Sequence, residues 1–482
     1  MIDQFTHQNR WWSDRGLIAN DPHLRRMTNA AVQWTPDLPF RVDQDAVYVL
    51  RGPRQVGKST VLKRFVAQLL GAGWDPLRIL YLDVELAGLT TSTDLVAAIR
   101  AYLGTVRPTP ATPQPRVAML LDEVTRVANW AGAIRGLADN GELDDATVIA
   151  TGSHTTDLRK GGERLPGRRG RGTDLDVQMH PLSFREYVQL LHPSVLLSSP
   201  VASLNRNDVA AGHLSRLGSR NSLVSILPRY LATGGFLSAL NDQATTGSVQ
   251  PDSYQKYREA LVGEFTRAGL RESYLREVVI WMSSHLGKEF DSRGIAADTD
   301  IGSKDTARSY VQHLEDTYTI NVAYRTNSLD KPAPNFRTPK KMHATDPLFF
   351  HMLRAWAAAD PDPWVATHMT LSQPTEVGHL VESVVAVHLR RAFGDRVFYW
   401  RPDEKKEIDA VVDRPGVGQA LAEIKYQGSV GRSDIGELLR RGGGIVLSRD
   451  TTEWIVPSLA YALPTAELLA CLDAPSLAPP PA

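Results

Sequence analysis

Cysteine is nearly absent: Cys471 is the only one in 482 residues. That excludes an intramolecular disulfide framework and fits a reducing, cytoplasmic setting. Long apolar runs are also missing, since none reaches the roughly 18 residues a membrane helix needs. The opening stretch MIDQFTHQNRWWSDRG lacks the basic-then-apolar order of a secretory signal, so no membrane partner is expected. Net charge is absent as well, with 54 Lys and Arg against 54 Asp and Glu. Any surface for nucleic acid must therefore be local. The thirteen histidines show no HExxH or paired ligand spacing, which argues against a histidine metal centre. There are no internal repeats. What remains has the apolar and charged content of a globular chain long enough for about two to four domains. Residues 471–482, with the low-complexity run APSLAPPPA, are expected to form a loose tail.

The strongest motif lies in AVYVLRGPRQVGKSTVLKRFVAQLL, residues 46–70, which reads as strand, glycine loop and helix. Gly52, Gly57, Lys58 and Ser59 fill the pattern G-x-x-x-x-G-K-[ST]. Its glycines let backbone N–H groups curl around phosphates, and the following helix presents its positive end. The spacing assigns Gly52, Pro53, Arg54, Gln55, Val56, Gly57, Lys58, Ser59 and Thr60 to ATP. Lys58 would reach the β- and γ-phosphates, and Ser59 would ligate Mg²⁺. The apolar run of RVAMLLDEV (116–124) closes on Asp122, expected to hold Mg²⁺ through water, and Glu123, expected to act as general base. The bland alternative is a buried strand whose acids begin a helix.

Two further runs, RILYLDVEL (78–86) and TVIATGS (147–153), fit strands of the same parallel sheet. Strand ends of this kind lie along the phosphate edge, so Thr151 or Ser153 would sense the γ-phosphate, or else cap the next helix. The loop RKGGERLPGRRGRG (159–172) holds six basic residues and one acid. Arg168 within it reads as an arginine finger, in cis or toward a neighbouring copy. A phosphate-gripping nucleic-acid loop and a plain solvated loop remain open beside it.

The middle of the chain, 184–290, has mostly helical periodicity, and the Gly-Gly step of RYLATGGFLSAL divides two helices. Residues 290–326 then give a short helix over Ile295–Asp298, a longer one over Ser303–Asp316, and a strand over Thr319–Ala323. A second strand is expected around Lys340–Ala344. Such a winged helix would present Lys304, Arg308 and Gln312 outward, toward DNA if this is a reader. Asp305, Glu315 and Asp316 weaken that electrostatic footprint.

Near the C-terminus EVGHLVESVVAVHLRRAF (376–393) is an amphipathic helix carrying Glu382, and RVFYW (396–400) a strand. The stretch EIDAVVDRPGVGQALAEIK (407–425) is a hairpin about Pro415, Gly416 and Gly418. Gly416 lies midway between Asp409 and Glu423, so a symmetric register sets the two carboxylates opposite each other. Like charges so placed repel, and a divalent cation would reverse that penalty. Glu423 and Lys425 share one strand face. Glu382, Asp409 and Glu423 thus form a candidate Mg²⁺ or Mn²⁺ site with Lys425 orienting water, its catalytic set being Asp409, Glu423 and Lys425. Solvated strand-end charges are the alternative.

GPRQVGKST, LLDEV, ATGS, the GR-rich loop and HPLSFREY (180–187) resemble, in this order, a prokaryotic group of AAA-like ATP-binding proteins. That resemblance implies a P-loop ATPase followed by a winged helix and a nuclease-like domain. The order of Glu382, Asp409, Glu423 and Lys425 is similar to the restriction-endonuclease-like (PD-(D/E)XK) nucleases. The expected fold is thus α/β: a P-loop NTPase domain (1–183), a helical lid (184–289), a winged helix (290–346) and a small α/β nuclease-like domain (347–470). The expected function is ATP hydrolysis by a cytoplasmic protein, coupled to DNA engagement, with metal-dependent cleavage at the C-terminal site. A nucleotide switch or scaffold that binds a partner without cleavage is the alternative. ATP, DNA and further copies of the chain are the partners considered.

Overall fold

The computed structural model describes residues 3–107, 115–152, 158, 175–198, 204–403, 406–472 and 477–478. Two compact units result, 1–180 with 477–480, and 181–476 with 481–482.

In the first unit the apolar runs become strands β1 (Ala46–Arg51), β2 (Ile79–Asp83), β3 (Val117–Asp122), β4 (Ala146–Thr151) and β5 (Asp176–Met179). The first four are almost wholly buried, as strands covered on both faces require. The sheet order is β5-β1-β4-β3-β2, all parallel. Helices α1 (Pro22–Thr28), α2 (Lys58–Gly71), α3 (Ser92–Val106) and α4 (Trp130–Asp139) belong to the same unit. The core is built from residues such as Val49, Leu82, Leu121, Ile134 and Val148. This is a P-loop NTPase fold, and its register aligns Leu50 with Thr151, and Asp83 with Asp122, along one edge.

An edge strand leaves alternate backbone groups unpaired. Here the N-terminal segment satisfies β2 with side chains. Asn9 accepts from the Tyr81 amide at 2.7 Å and donates to the Tyr81 carbonyl at 2.8 Å. Gln8 repeats the device at Asp83, accepting at 2.8 Å and donating at 3.3 Å. The Trp11 and Trp12 indoles both donate to the Ile79 carbonyl. The other edge corrects an expectation: Leu477–Ala478 do not dangle but form a strand antiparallel to β5.

The second unit begins with helices, among them α5 (Phe184–Leu191), α6 (His213–Thr233) and α7 (Leu237–Thr246), the last two divided by Gly234 and Gly235 as the sequence implies. A Cβ on Gly235 would collide with the Leu182 backbone. Then come the two-residue strand β6 (Glu289–Phe290), helices α8 (Ser292–Asp298) and α9 (Lys304–Asp316), and strands β7 (Ile320–Thr326) and β8 (Lys340–Ala344). Helix α10 (Pro374–Phe393) precedes β9 (Val397–Asp403), β10 (Lys406–Arg414) and β11 (Gly418–Ile424). Strands β12 (Gly444–Ser448), β13 (Glu453–Val456) and β14 (Ala460–Pro464) complete the series. All nine join one mixed sheet, ordered β13-β14-β12-β11-β10-β9-β7-β8-β6. The β7–β8 hairpin is therefore continuous, through the parallel β7–β9 pair, with the C-terminal strands. No single helix among the described residues is long and apolar enough to cross a membrane.

Candidate functional site

The glycine loop leaves β1 and turns into α2. Gly57 sits at φ +109° and caps α2, and Gln55 takes a left-handed φ of 62°, so the backbone curls tightly. Gly52 is needed for a second reason, because a Cβ there would strike the Met179 carbonyl of β5. The Lys58 ammonium folds back over the loop, donating to the carbonyls of Gly52 and Pro53, each at 2.9 Å. Burial disfavours its charge and lowers its pKa to about 8, although Glu123 and Asp122 pull the other way. Both carboxylates are thus close enough for their charge to act on Lys58.

Asp122 ends β3 in the core, 2% exposed. Burial raises its pKa, while hydrogen bonds from Ser59 and Tyr81 oppose the rise. The Tyr81 hydroxyl donates to Asp122 Oδ2 at 2.8 Å, and the Glu123 amide to Oδ1 at 3.1 Å. Asp122 is therefore held at both oxygens, by Tyr81 and by the Glu123 amide. Glu123 turns the chain at φ 54°. The Tyr81 ring is itself pinned by the Lys63 ammonium, 3.4 Å from its centroid, and Lys63 pairs with Asp21 at 3.3 Å. Thr151 ends β4 fully buried, and its Oγ1 has no hydrogen-bond partner among the described residues. Ser153 and Arg168 lie outside the described residues. Tyr81 was not legible from spacing. Its only sequence signal is a tyrosine one strand over from the Asp122 strand, two residues short of the register position that Asp83 takes.

In the second unit the hairpin register runs from Ala410↔Ala422 to Arg414↔Gly418, and its next step sets Asp409 opposite Glu423. Asp409 Oδ2 accepts from the Ile424 amide at 2.8 Å. The sequence-predicted ligands do not all converge. Glu382, Glu407 and Asp409 each place one carboxylate oxygen within 4.8 Å of the others, whereas Glu423 is bound to Lys425 at 2.8 Å. Glu407 lies two residues before Asp409 and shares its strand face, a period-two signal present in the sequence. Lys341 of β8 joins these carboxylates without any local sequence signal. Its ammonium lies 2.6 Å from Glu382 Oε1, in contact with Glu407 and 3.9 Å from Asp409.

Arg401 brackets this group, 3.4 Å from Glu289 and 3.5 Å from Glu407. Five acids then face three bases, and full ionisation would leave two negative charges uncompensated. Burial, reinforced by neighbouring carboxylates, pushes Asp409 up to about 6 and Glu423 up to about 8. Burial alone would lower Lys341, but Glu382, Asp409 and Glu407 raise it overall. Glu423 Oε2 is buried without a hydrogen-bond partner among the described residues.

Comparison with known proteins bears on the first unit more than the second. Residues 44–188 match a family described as an AAA domain, and residues 377–447 match a domain of unknown function, DUF4143. An uncharacterized protein of Haemophilus influenzae is 22% identical over 283 residues, 57% of this chain. The match spans 62% of that relative's length. Among solved structures, the Aeropyrum pernix ORC1 protein in complex with DNA aligns with 13% identity and a TM-score of 0.27, over 75% of this chain and 94% of its own. A Thermotoga maritima RuvB variant aligns with 15% identity and a TM-score of 0.26, over 59% and 82%. The family match, the strand order and the glycine loop together make the first unit an AAA-type P-loop ATPase-like domain.

Proposed function

We propose that the chain binds and hydrolyses ATP and couples its nucleotide state to engagement of DNA by the second unit. The observation that carries the ATPase reading is the Lys58 ammonium lying over the Gly52 and Pro53 carbonyls of the glycine loop, within reach of the charges of Asp122 and Glu123. The donor set fits Mg²⁺–ATP: loop amides and Lys58 for phosphates, Ser59 and Asp122 for the ion. Bound there, the ion would offset charge on the phosphoryl oxygens. Lys58, released from the Gly52 and Pro53 carbonyls, would contact the β- and γ-phosphates. Glu123 would take the proton of the attacking water, and Thr151, with its free buried hydroxyl, fits a γ-phosphate sensor. Arg168 remains our candidate arginine finger, in cis or from a further copy in a homo-oligomer. The wild-type protein should release phosphate from Mg²⁺–ATP, and Lys58→Ala should abolish it. A Lys58→Ala protein turning over at the wild-type rate would refute the assignment.

The DNA element in this reading is the helix pair α8–α9 with the β7–β8 hairpin, a winged-helix order. Lys304, Arg308 and Gln312 are exposed along one face of α9. Gln312 also bonds Asp316 at 3.2 Å, which limits how freely that face meets phosphate.

Metal-dependent cleavage by the second unit is a further part of the proposal. It is favoured by the apposition of Asp409 and Glu423 and the unsatisfied Glu423 oxygen. The order α10, β9, β10, β11 also agrees with a restriction-endonuclease-like core. Plasmid incubated with Mg²⁺ or Mn²⁺, with and without ATP, should be cut by the wild type and not by Asp409→Ala, Glu423→Ala. Absence of cutting under every condition would leave a nucleotide switch that binds a partner.

A further inference from the structure

The acidic cluster of the second unit already contains a cation. Glu382 comes from α10, and Glu407 and Asp409 from β10, with ligand atoms all within 4.8 Å of one another. Carboxylates that close cannot all be charged unless something positive lies among them. The Lys341 ammonium contacts Glu382 and Glu407 and approaches Asp409 to 3.9 Å. Its side chain is 5% exposed, so water does not share this task. The Lys341 backbone is fixed in the sheet, paired with Ala323 of β7 on one side and Glu289 of β6 on the other. Only the flexible four-carbon stem is free to withdraw.

We propose that Lys341 is the resident cation of this cluster and that a divalent metal enters only by displacing it, so that strand β8 latches the C-terminal site. The inference rests on reading these carboxylates as metal ligands. An oxygen-only donor set suits Mg²⁺ or Mn²⁺, but the Lys341 ammonium already holds oxygens of two of the three donors, Glu382 and Glu407. The unpartnered, buried Glu423 oxygen, on the strand position opposite Asp409, is the second observation pointing to a ligand. A single ammonium offsets only one of the three negative charges that Glu382, Glu407 and Asp409 would carry when fully ionised. Exchange of a monovalent tethered cation for a divalent free one would add one further positive charge among these carboxylates.

The test is Mn²⁺ binding by the full-length, chelator-stripped protein without nucleotide, read from the electron paramagnetic resonance of free Mn²⁺. Wild type, Lys341→Met and Lys341→Met combined with Glu382→Gln are compared. Lys341→Met should bind one Mn²⁺ about 10–100-fold more tightly than wild type, the range expected when a group next to a metal site is changed. The added Glu382→Gln should remove that gain. Equal Mn²⁺ affinity in wild type and Lys341→Met overturns the latch. A wild-type measurement covers the case of a variant that does not fold. Acetylation of Lys341 by an amine-reactive ester, followed by mass spectrometry, should be slow without metal and accelerate with Mn²⁺. Unchanged reactivity at Lys341 across the Mn²⁺ range overturns it too. Cleavage is a separate readout: a Lys341→Met protein that gains Mn²⁺ affinity but cuts no DNA refutes the nuclease reading and leaves the latch standing.

Discussion

Tyr81→Phe isolates one hydrogen bond at the ATPase site. The substitution keeps the ring, and with it the Lys63 ammonium 3.4 Å from the centroid. It deletes only the hydroxyl that donates to Asp122 Oδ2 at 2.8 Å in a buried setting. A hydrogen bond to a charged group is worth about 1.5–3 kcal/mol. Burial already raises the Asp122 pKa, and the Tyr81 bond is one of two that hold it down. Its loss should make the carboxyl easier to protonate and freer to rotate. Both changes weaken a metal ligand, so half-saturating Mg²⁺ should rise and kcat should fall, by about 10–100-fold in their product. ATP binding in excess chelator should be unchanged, because the loop amides and Lys58 do not touch Tyr81. The assay is phosphate release against Mg²⁺ at saturating ATP, beside ATP binding in chelator. Wild-type kcat and Mg²⁺ dependence in Tyr81→Phe would refute the positioning role. A loss of metal-free ATP binding would show that the hydroxyl supports the fold instead.

Asn9→Leu should strip both side-chain bonds from the edge of β2, leaving buried Tyr81 backbone groups unsatisfied. The expected cost is about 2–4 kcal/mol, measured as a lower denaturation midpoint for the first unit, and an unchanged midpoint would show that this cover is dispensable. Glu423→Gln should flatten the pH dependence of stability in chelator. The folded pKa of Glu423 is raised to about 8 from its ordinary 4.5, so the folded state binds more protons between those values. Its contribution is complete below the unfolded pKa and is lost as pH rises through 8. Wild-type Tm should therefore drop between pH 5 and 8, and the variant should drop less, by roughly 5 °C. Parallel pH profiles would remove Glu423 from the buried cluster.

The first unit was legible because its chemistry is local. Gly52 to Ser59 occupy eight consecutive positions, and their spacing alone encodes a strand, a turn and a helix start. Asp122 and Glu123 follow an unbroken apolar strand, a pattern that needs no knowledge of neighbours. The Gln8 and Asn9 cover could not be read the same way. Two amides in a polar N-terminal stretch look solvated until β2 is known to be an edge, and edge status depends on the order of all the strands. Tyr81 is similar: its partner is 41 residues away, and only parallel register brings them together.

The C-terminal hairpin shows how far a local pattern reaches before long-range contacts take over. Counting residues about Gly416 placed Asp409 opposite Glu423, and the register agrees because a tight turn fixes pairing on both sides of itself. The same counting assigns Glu423 to a metal with Lys425 on its face, and Lys425 lies 2.8 Å from it. Alternation along β10 could have added Glu407, since period two puts it on the Asp409 face. No local rule could have added Lys341, which enters from a strand 68 positions before Asp409. Its presence changes the question asked of the site. Three carboxylates without a cation would have to bind metal or keep their protons. With Lys341 among them they are already partly compensated in the absence of metal, and occupancy becomes a competition between a tethered charge and a free one. Metal affinity is then set by β8 as much as by the carboxylates. Any displacement of the β7–β8 hairpin that withdraws Lys341 should raise the affinity of the cluster for divalent ions without altering a single ligand.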